Sequence, residues 1–349
     1  MTISSSIPDT AGTTSPSEYH ALTTLLQSAL PSHDRAALRE SVVPRLVRCV
    51  ASIAVALRSS QQISLAGTAN AFGDDQLNVD VLAEDIIRTA LAECPAVVTA
   101  SSEEDPVEKS IHGSASTIDE INKEVYTVAF DPLDGSSIIA PNWTVGTIVG
   151  VWDGPSALGQ PPSTKQIAAI LGVYGPRTTA IVALRVPGAT PLCFELGLES
   201  NKVSVVRTSI KLQEAPFKSR YFAPANIRAA ADDENYLRVI NHFVKNKYTL
   251  RYSGGLVPDV VHILVKDHGI YMSPVTSLSK AKLRRLYELA PIALIVECAG
   301  GTAVDPADGS YILDHDISDC DERAGLICGT MEDVKFVTKE LLRGRSLES

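Results

Sequence analysis

The sequence predicts an α/β protein (α+β in the broader sense) built as two layered domains. Three observations lead there. A chain of 349 residues, 45% of them hydrophobic, can bury a large core. Residues 18–210 set two helix-patterned segments ahead of a series of short apolar runs, and residues 211–349 alternate helical patterns with short extended pieces. Residues 1–17 are rich in Ser, Thr, Pro and Gly and read as a disordered tail, so order is expected from Glu18.

Apolar residues at helical spacing run from Ala36 to Leu57 and from Leu77 to Leu91, with Asp80 near the start of the second. Strand-like runs follow at Ala96–Ala100, Tyr126–Phe130, Thr144–Trp152, Ile167–Tyr174, Thr178–Val186 and Pro191–Glu195, separated by Gly and Pro. In the second half the helical patterns are Glu234–Val244, Val257–Val265, Ala290–Cys298 and Glu332–Leu342.

A formal charge of -10 and a pI near 5.2 argue against a nucleic-acid binder, which needs a basic face. No apolar run approaches a membrane span, and no Lys or Arg precedes Arg35, so the expectation is a soluble cytoplasmic protein. Six cysteines without a C-x-x-C pair suit reduced thiols better than a disulfide framework.

The most informative stretch is Val128 to Ile138, which reads Val-Ala-Phe-Asp-Pro-Leu-Asp-Gly-Ser-Ser-Ile. Pro132 has no N–H to donate, so strand pairing should stop just after Asp131 and leave Asp134 on a tight turn. Two carboxylates three residues apart can then converge on one cation, with the carbonyl of Leu133 as a third oxygen ligand. An all-oxygen set suits magnesium or manganese rather than zinc. Gly135, Ser136 and Ser137 offer backbone N–H groups where a helix starts, a favourable place for phosphate. The same residue types also make a plain turn. A second copy, Val304 to Leu313, shares the Asp-Pro-x-Asp-Gly-Ser pattern but follows the loop-like Gly300-Gly301-Thr302, so the first copy is the better candidate.

Four other places carry chemistry beside a plainer reading. Ser101 to Asp105 follows an apolar run, so Glu103 or Glu104 can reach a cleft at a strand end, although acidic loops are commonly just solvated. Asp74 sits in a glycine loop and Asp80 six residues on, which equally suits an exposed acid and a helix cap. Glu297 lies in the apolar Ile292–Ala299, where a buried carboxylate needs a partner such as a cation. If extended, Lys282 and Arg284 share a face that could hold a phosphate, some thirty positions after Arg251-Tyr252; if helical, Lys280 and Arg284 are a solvated pair.

Taken in order, Gly73-Asp74, Val79-Asp80-Val81-Leu82, Ser102-Glu103-Glu104, Phe130 to Ser137, Arg251-Tyr252, Lys282-Leu283-Arg284 and Val296 to Gly301 resemble the motif series of the fructose-1,6-bisphosphatase family. Asn142 to Trp152, Ala223 to Ala229 and Lys247 to Val260 are more similar to its sedoheptulose-1,7-bisphosphatase branch. The resemblance implies a five-layer α-β-α-β-α sandwich of the sugar-phosphatase type, with its cleft between the domains. It implies a Mg2+-dependent phosphoric monoester hydrolase of carbohydrate metabolism, with Mn2+ as a substitute ion and a homodimer or homotetramer as the assembly. Implied metal ligands are Asp74, Glu103, Asp131, the Leu133 carbonyl, Asp134 and Glu297, while Asp80 and Glu104 activate water. Gly135, Ser136 and Ser137 would hold the scissile phosphate. Asn226, Arg251, Tyr252, Lys282 and Arg284 would hold the sugar and its distal phosphate, Arg251 from the neighbouring subunit.

Two departures stand out. Plant members carry a cysteine pair just before the Phe-Gly-Asp loop, whereas Ala66 to Gly73 here holds none. The tyrosine that fructose-bisphosphatases place three residues after the sugar-binding Asn is Ala229 here.

Overall fold

The computed structural model describes residues 19–30, 35–69, 75–112, 124–199, 202–276 and 278–344. The expected tail, 1–17, and Asp74 lie outside these. Helix α1 (His20–Ala29), which the sequence did not announce, buries Leu22 and Leu26. A π-helical turn at Leu38–Val42 leads into α2 (Val43–Ser59), the helix read from Ala36 to Leu57. A ribbon of β1 (Leu65–Ala69) and β2 (Asp75–Leu77) precedes α3 (Asn78–Ala92).

Next come β3 (Val97–Ser102), β4 (Lys109–Ser110), β5 (Tyr126–Asp134), the short α4 (Ser136–Ile139), β6 (Val145–Asp153), α5 (Pro162–Lys165), β7 (Gln166–Tyr174), β8 (Thr178–Leu184), β9 (Leu192–Glu199) and β10 (Lys202–Arg207). Strands β3 to β10 form one sheet in the order β10-β9-β8-β7-β6-β5-β3-β4, antiparallel except where β3 runs parallel to β5. Both faces are covered. Strands β5, β7 and β8 are therefore buried along their whole length, and their sequences read as unbroken apolar runs instead of alternating ones.

The second half supplies β11 (Tyr221–Pro224), α6 (Glu234–Lys245), β12 (Thr249–Leu250), α7 (Leu256–Lys266), β13 (Ile270–Ser273), β14 (Leu283–Arg284), α8 (Ala290–Cys298), β15 (Thr302–Val304), β16 (Arg323–Ala324), β17 (Leu326–Gly329) and α9 (Met331–Leu341). A five-stranded sheet runs β12-β11-β13-β17-β15, its first three strands parallel, and β14 pairs with β16 in a separate ribbon.

Three apolar cores separate the layers. The first joins helices α1, α2 and α3 to one face of the large sheet through Val128, Phe130, Val149 and Ile170. The second fills the middle: Ala129, Ile148, Leu171 and Ile181 from the opposite face meet α7 and α8, which in turn meet Ala223, Tyr271 and Leu326 of the small sheet. The third packs α6 and α9 on the outer face of the small sheet. The order is helix, sheet, helix, sheet, helix, as the resemblance implied.

One local expectation fails. Strand β5 does not stop at Asp131: pairing runs from Asp131↔Ile148 to Asp134↔Gly146, so three steps on β5 oppose two on β6. This is a bulge at Pro132-Leu133, which absorbs the missing proline N–H without ending the strand.

Candidate active site

The bulge turns Asp131 and Asp134 toward a third carboxylate. Asp131, Asp134 and Glu288 each bring an oxygen within 4.8 Å of the others, and all three residues are buried. Each is held separately. Asp131 Oδ1 accepts from Leu133 N–H at 2.9 Å, leaving the other oxygen to point away from its own loop. Asp134 accepts from the amides of Leu256 (3.2 Å) and Val257 (2.7 Å), the first turn of α7, whose unpaired N–H groups favour an anion. Gly146 permits this approach, since a Cβ there would lie 2.5 Å from Val257 Cβ. Glu288 sits in a π-helical turn, Arg285–Leu289, and accepts from Arg284 N–H at 2.6 Å.

Glu103 joins them from the loop after β3, its N–H donating to Phe130 O at 3.0 Å and its carboxylate paired with the Arg284 guanidinium. Glu104 follows on the same loop, partly buried. Burial, then the charge of Glu103, holds Asp131 and Glu288 well above the usual carboxylate range. Burial likewise pushes Asp134 up to about 7 against the pull of the Val257 and Leu256 amides. Ionised together these groups repel, and a divalent cation among them reverses each direction.

Asp80 occupies the third position of α3, where Oδ2 accepts from Leu77 N–H at 2.9 Å. The cap reading is therefore right for one oxygen. The other, Oδ1, is buried with no partner among the described residues. Burial first, and then Glu103, lift this group to about 6 despite the Leu77 bond. An orphaned buried oxygen beside a crowded all-oxygen cluster is what a hard divalent cation and its coordinated solvent would satisfy, so these residues fit Mg2+ or Mn2+.

Gly135 caps α4 with φ 101°, and Ser136 and Ser137 are exposed in its first turn. Asn226, in the left-handed region at φ 52°, and Arg251-Tyr252 follow the parallel strands β11 and β12, held together by Arg251 N–H to Phe222 O at 2.9 Å. The Tyr252 hydroxyl lies against the Asn226 backbone, with Asp259 and Arg228 nearby. A cleft of about 760 Å³ opens beside them, lined also by Trp143, Tyr174 and His262 but not by the carboxylate cluster. Lys282 is exposed.

Two sequence readings change. Glu297 is not a member of the cluster. It lies on α8 nine residues beyond Glu288, on the order of 13 Å along a helix, where Arg185 Nη1 meets its Oε2 at 2.8 Å. Glu288, which the sequence reading did not name, stands with Asp131 and Asp134 instead. The signal was available, because Leu286-Tyr287-Glu288-Leu289 is as apolar a setting as that of Glu297. Arg284 does not face outward for a distal phosphate: it is 2% exposed, bonding Asp321 Oδ1 at 3.0 Å besides Glu103. The second Asp-Pro-x-Asp-Gly copy, already the lesser candidate in the sequence, is consistent with that choice. It is a turn, Asp305 accepting from Ala307 N–H at 2.9 Å and pairing with Arg285, and Asp308 accepting from Ser310 N–H at 2.8 Å.

Residues 27–200 match the family described as "Fructose-1-6-bisphosphatase, N-terminal domain" and residues 215–341 match "Fructose-1-6-bisphosphatase, C-terminal domain". The chain belongs to the fructose-1,6-bisphosphatase family. Members are metal-dependent phosphatases that hydrolyse sugar bisphosphates. Among relatives in this family, the chloroplastic sedoheptulose-1,7-bisphosphatase of Triticum aestivum is 41% identical over 78% of this chain and 65% of its own length. The class 1 fructose-1,6-bisphosphatase of Citrifermentans bemidjiense is 34% identical over 93% of this chain and 94% of its own length. In structure, a Toxoplasma gondii protein provisionally named a sedoheptulose-1,7 bisphosphatase superposes with a TM-score of 0.80 at 33% identity, covering 92% of this chain and 98% of that one. The first match ends at residue 200 and the second begins at residue 215.

Proposed function

We propose that this chain is a Mg2+-dependent bisphosphatase that removes the 1-phosphate of sedoheptulose 1,7-bisphosphate to leave sedoheptulose 7-phosphate. The observation that carries the reading is the convergence of Asp131, Asp134 and Glu288. With Glu103, the Leu133 carbonyl and, by resemblance, Asp74, these residues hold the cation. Bound there, Mg2+ (or Mn2+) supplies Lewis-acid polarisation of the phosphoryl group and acidifies nearby water.

The remaining chemistry belongs to the chain. Asp80, with one oxygen unpartnered among the described residues and its acidity moved up to about 6, accepts the proton of the attacking water together with Glu104. The N–H groups of Gly135, Ser136 and Ser137 receive the equatorial phosphoryl oxygens as the bond to the sugar oxygen breaks. Arg284 balances Glu103 and, through its N–H, sets Glu288. Asn226 and Tyr252 hold the sugar, and Lys282 and Arg251 hold its distal phosphate, Arg251 serving the adjoining subunit of a homodimer or homotetramer.

Preference for the seven-carbon sugar is supported by the wheat relative and by Ala229, which is 1% exposed and cannot offer a tyrosine hydroxyl to fructose. The test is a panel of kcat/KM values with Mg2+. Sedoheptulose 1,7-bisphosphate should exceed fructose 1,6-bisphosphate by about tenfold or more, a difference of roughly 1.4 kcal/mol. The class 1 bacterial relative supports a second outcome, comparable turnover of both sugars or fructose 1,6-bisphosphate alone. Preferential cleavage of inositol phosphates, or no turnover of any sugar bisphosphate, would overturn the proposal.

A further inference from the structure

Asp80, Glu84 and Arg88 recur every four residues on α3 and so lie along one face of it. Asp80 lies close enough to Glu103 to feel its charge. The other two reach the loop after β3. Arg88 Nε pairs with Glu84, while its Nη2 lies 3.3 Å from Asp105 Oδ2 and 3.5 Å from Ser102 Oγ. Ser102 Oγ donates to Glu84 Oε1 at 2.9 Å and accepts from Asp105 N–H at 3.0 Å. The guanidinium stands 5.8 Å from the ring centre of Phe130, the residue whose carbonyl takes the Glu103 N–H. Lys109 Nζ meets the same Asp105 oxygen at 2.6 Å.

Only Glu103 and Glu104 lie between Ser102 and Asp105. Both ends of this two-residue span are tied to one guanidinium, on the helix that also carries Asp80. We infer that Arg88 is a positioning residue that fixes the angle at which Glu103 and Glu104 enter the active site relative to Asp80. A planar guanidinium with several acceptors is a stiff strut, which a single-point ammonium does not reproduce. The inference rests on the reading of Glu103 and Glu104 given above, and it adds Arg88, Glu84 and Ser102 as their support.

The experiment measures Mn2+ affinity of the metal-free protein by electron paramagnetic resonance, alongside kcat, KM and Tm. Variants are Arg88→Met, Arg88→Lys, Ser102→Ala and the control Arg45→Met, which breaks the Arg45–Glu93 ion pair between α2 and the end of α3. Arg88→Met should weaken Mn2+ about tenfold and lower kcat by about one to two decades with KM within about threefold, as a small displacement of catalytic groups does. Arg88→Lys should recover part of both losses, and Arg45→Met should show neither. Should Arg88→Met not fold, Ser102→Ala, which removes only the bridging hydroxyl, should move both readouts in the same direction by a smaller factor. A folded Arg88→Met, or failing that Ser102→Ala, with Mn2+ affinity and kcat within about twofold of wild type overturns the inference, whatever happens to Tm. Weakened Mn2+ binding in a protein that hydrolyses no sugar bisphosphate would instead overturn the functional reading and leave the positioning role standing.

Discussion

Asp134 and Val257 stand 123 positions apart, yet the Val257 amide donates to Asp134 Oδ2 at 2.7 Å. This bond crosses from the large sheet to the first turn of α7, in the layer shared with the small sheet, so a carboxylate of the candidate metal cluster is oriented by the far half of the chain. Gly146, opposite Asp134 in the strand register, leaves the room for it.

Gly146→Ala is therefore expected to act on the site from outside it. The added Cβ would overlap the Val257 side chain, and relief by moving α7 would pull the amide off Asp134. Overpacking of this kind costs about 1–3 kcal/mol, so Tm should drop and kcat should drop with it. A variant with wild-type Tm and kcat would show that α7 yields freely.

Glu288→Gln and Glu297→Gln separate the two candidate ligands. The first should lower kcat by roughly two decades or more and weaken Mg2+ activation, since it removes a charge from the cluster. Glu297→Gln breaks a largely buried pair with Arg185, which costs stability away from the cluster, and the folded variant should turn over within a few-fold of wild type. Reversed results would restore Glu297 to the site. The same assay should find Asp131→Asn dead and Asp305→Asn active.

Acid–base behaviour follows from burial. Asp80 and Asp134 ionise near pH 4 when unfolded, but in the fold they are pushed up to about 6 and about 7. Between pH 4 and 7 the folded protein keeps protons that the unfolded chain has released, so these groups make the metal-free protein less stable as pH rises through that window. Asp80→Asn keeps the acceptor for the Leu77 amide and removes the charge. In EDTA it should raise Tm at pH 8 and leave it nearly unchanged at pH 4, while abolishing most activity. Equal Tm shifts at the two pH values would contradict this origin.

Added Mg2+ should show the complementary pattern. At pH 8 fewer protons occupy the cluster than at pH 5, so binding should raise Tm by several degrees at the higher pH, and the gain should shrink at pH 5, where the ion competes with protons. Calorimetric scans with and without EDTA measure both. A larger gain at pH 5 would exclude this cluster as the metal site.

Thiol chemistry should leave the enzyme largely untouched. All six cysteines are buried and free, and burial pushes Cys49 up to about 12 and Cys298 up to about 11, far from reactive thiolates. Activity at saturating Mg2+ should be unchanged by dithiol reductants or mild oxidants, with six thiols titrating only after denaturation. A reversible loss of activity accompanied by the loss of two thiols would reveal a switch.

The two-sided burial of the large sheet made β5 to β8 legible in the sequence, because strands covered on both faces announce themselves as apolar runs. Strands of two residues such as β12, β14 and β16 have no period to detect. The end of β5 was misjudged for a different reason: whether a proline stops a strand or makes a bulge is decided by the partner strand, here β6. Glu288 and Glu297 satisfied one and the same criterion, a carboxylate in an apolar segment, and only tertiary packing distinguishes them. Arg284 sits at the position the motif gave, but the nearness of Glu103 and Asp321 turned it inward.

The layer order also dictates a schedule for biosynthesis. The last strand of the large sheet ends at Arg207, yet the face carrying Ala129, Ile148, Leu171 and Ile181 is covered by α7 and α8, which end only at Lys266 and Cys298. At 5–20 residues per second, a growing chain presents that bare apolar face for roughly five to twenty seconds. A nascent chain arrested near residue 250 should accordingly bind a hydrophobic dye or a holdase chaperone that the finished protein ignores, and an arrested chain that binds neither would mean the face finds another cover.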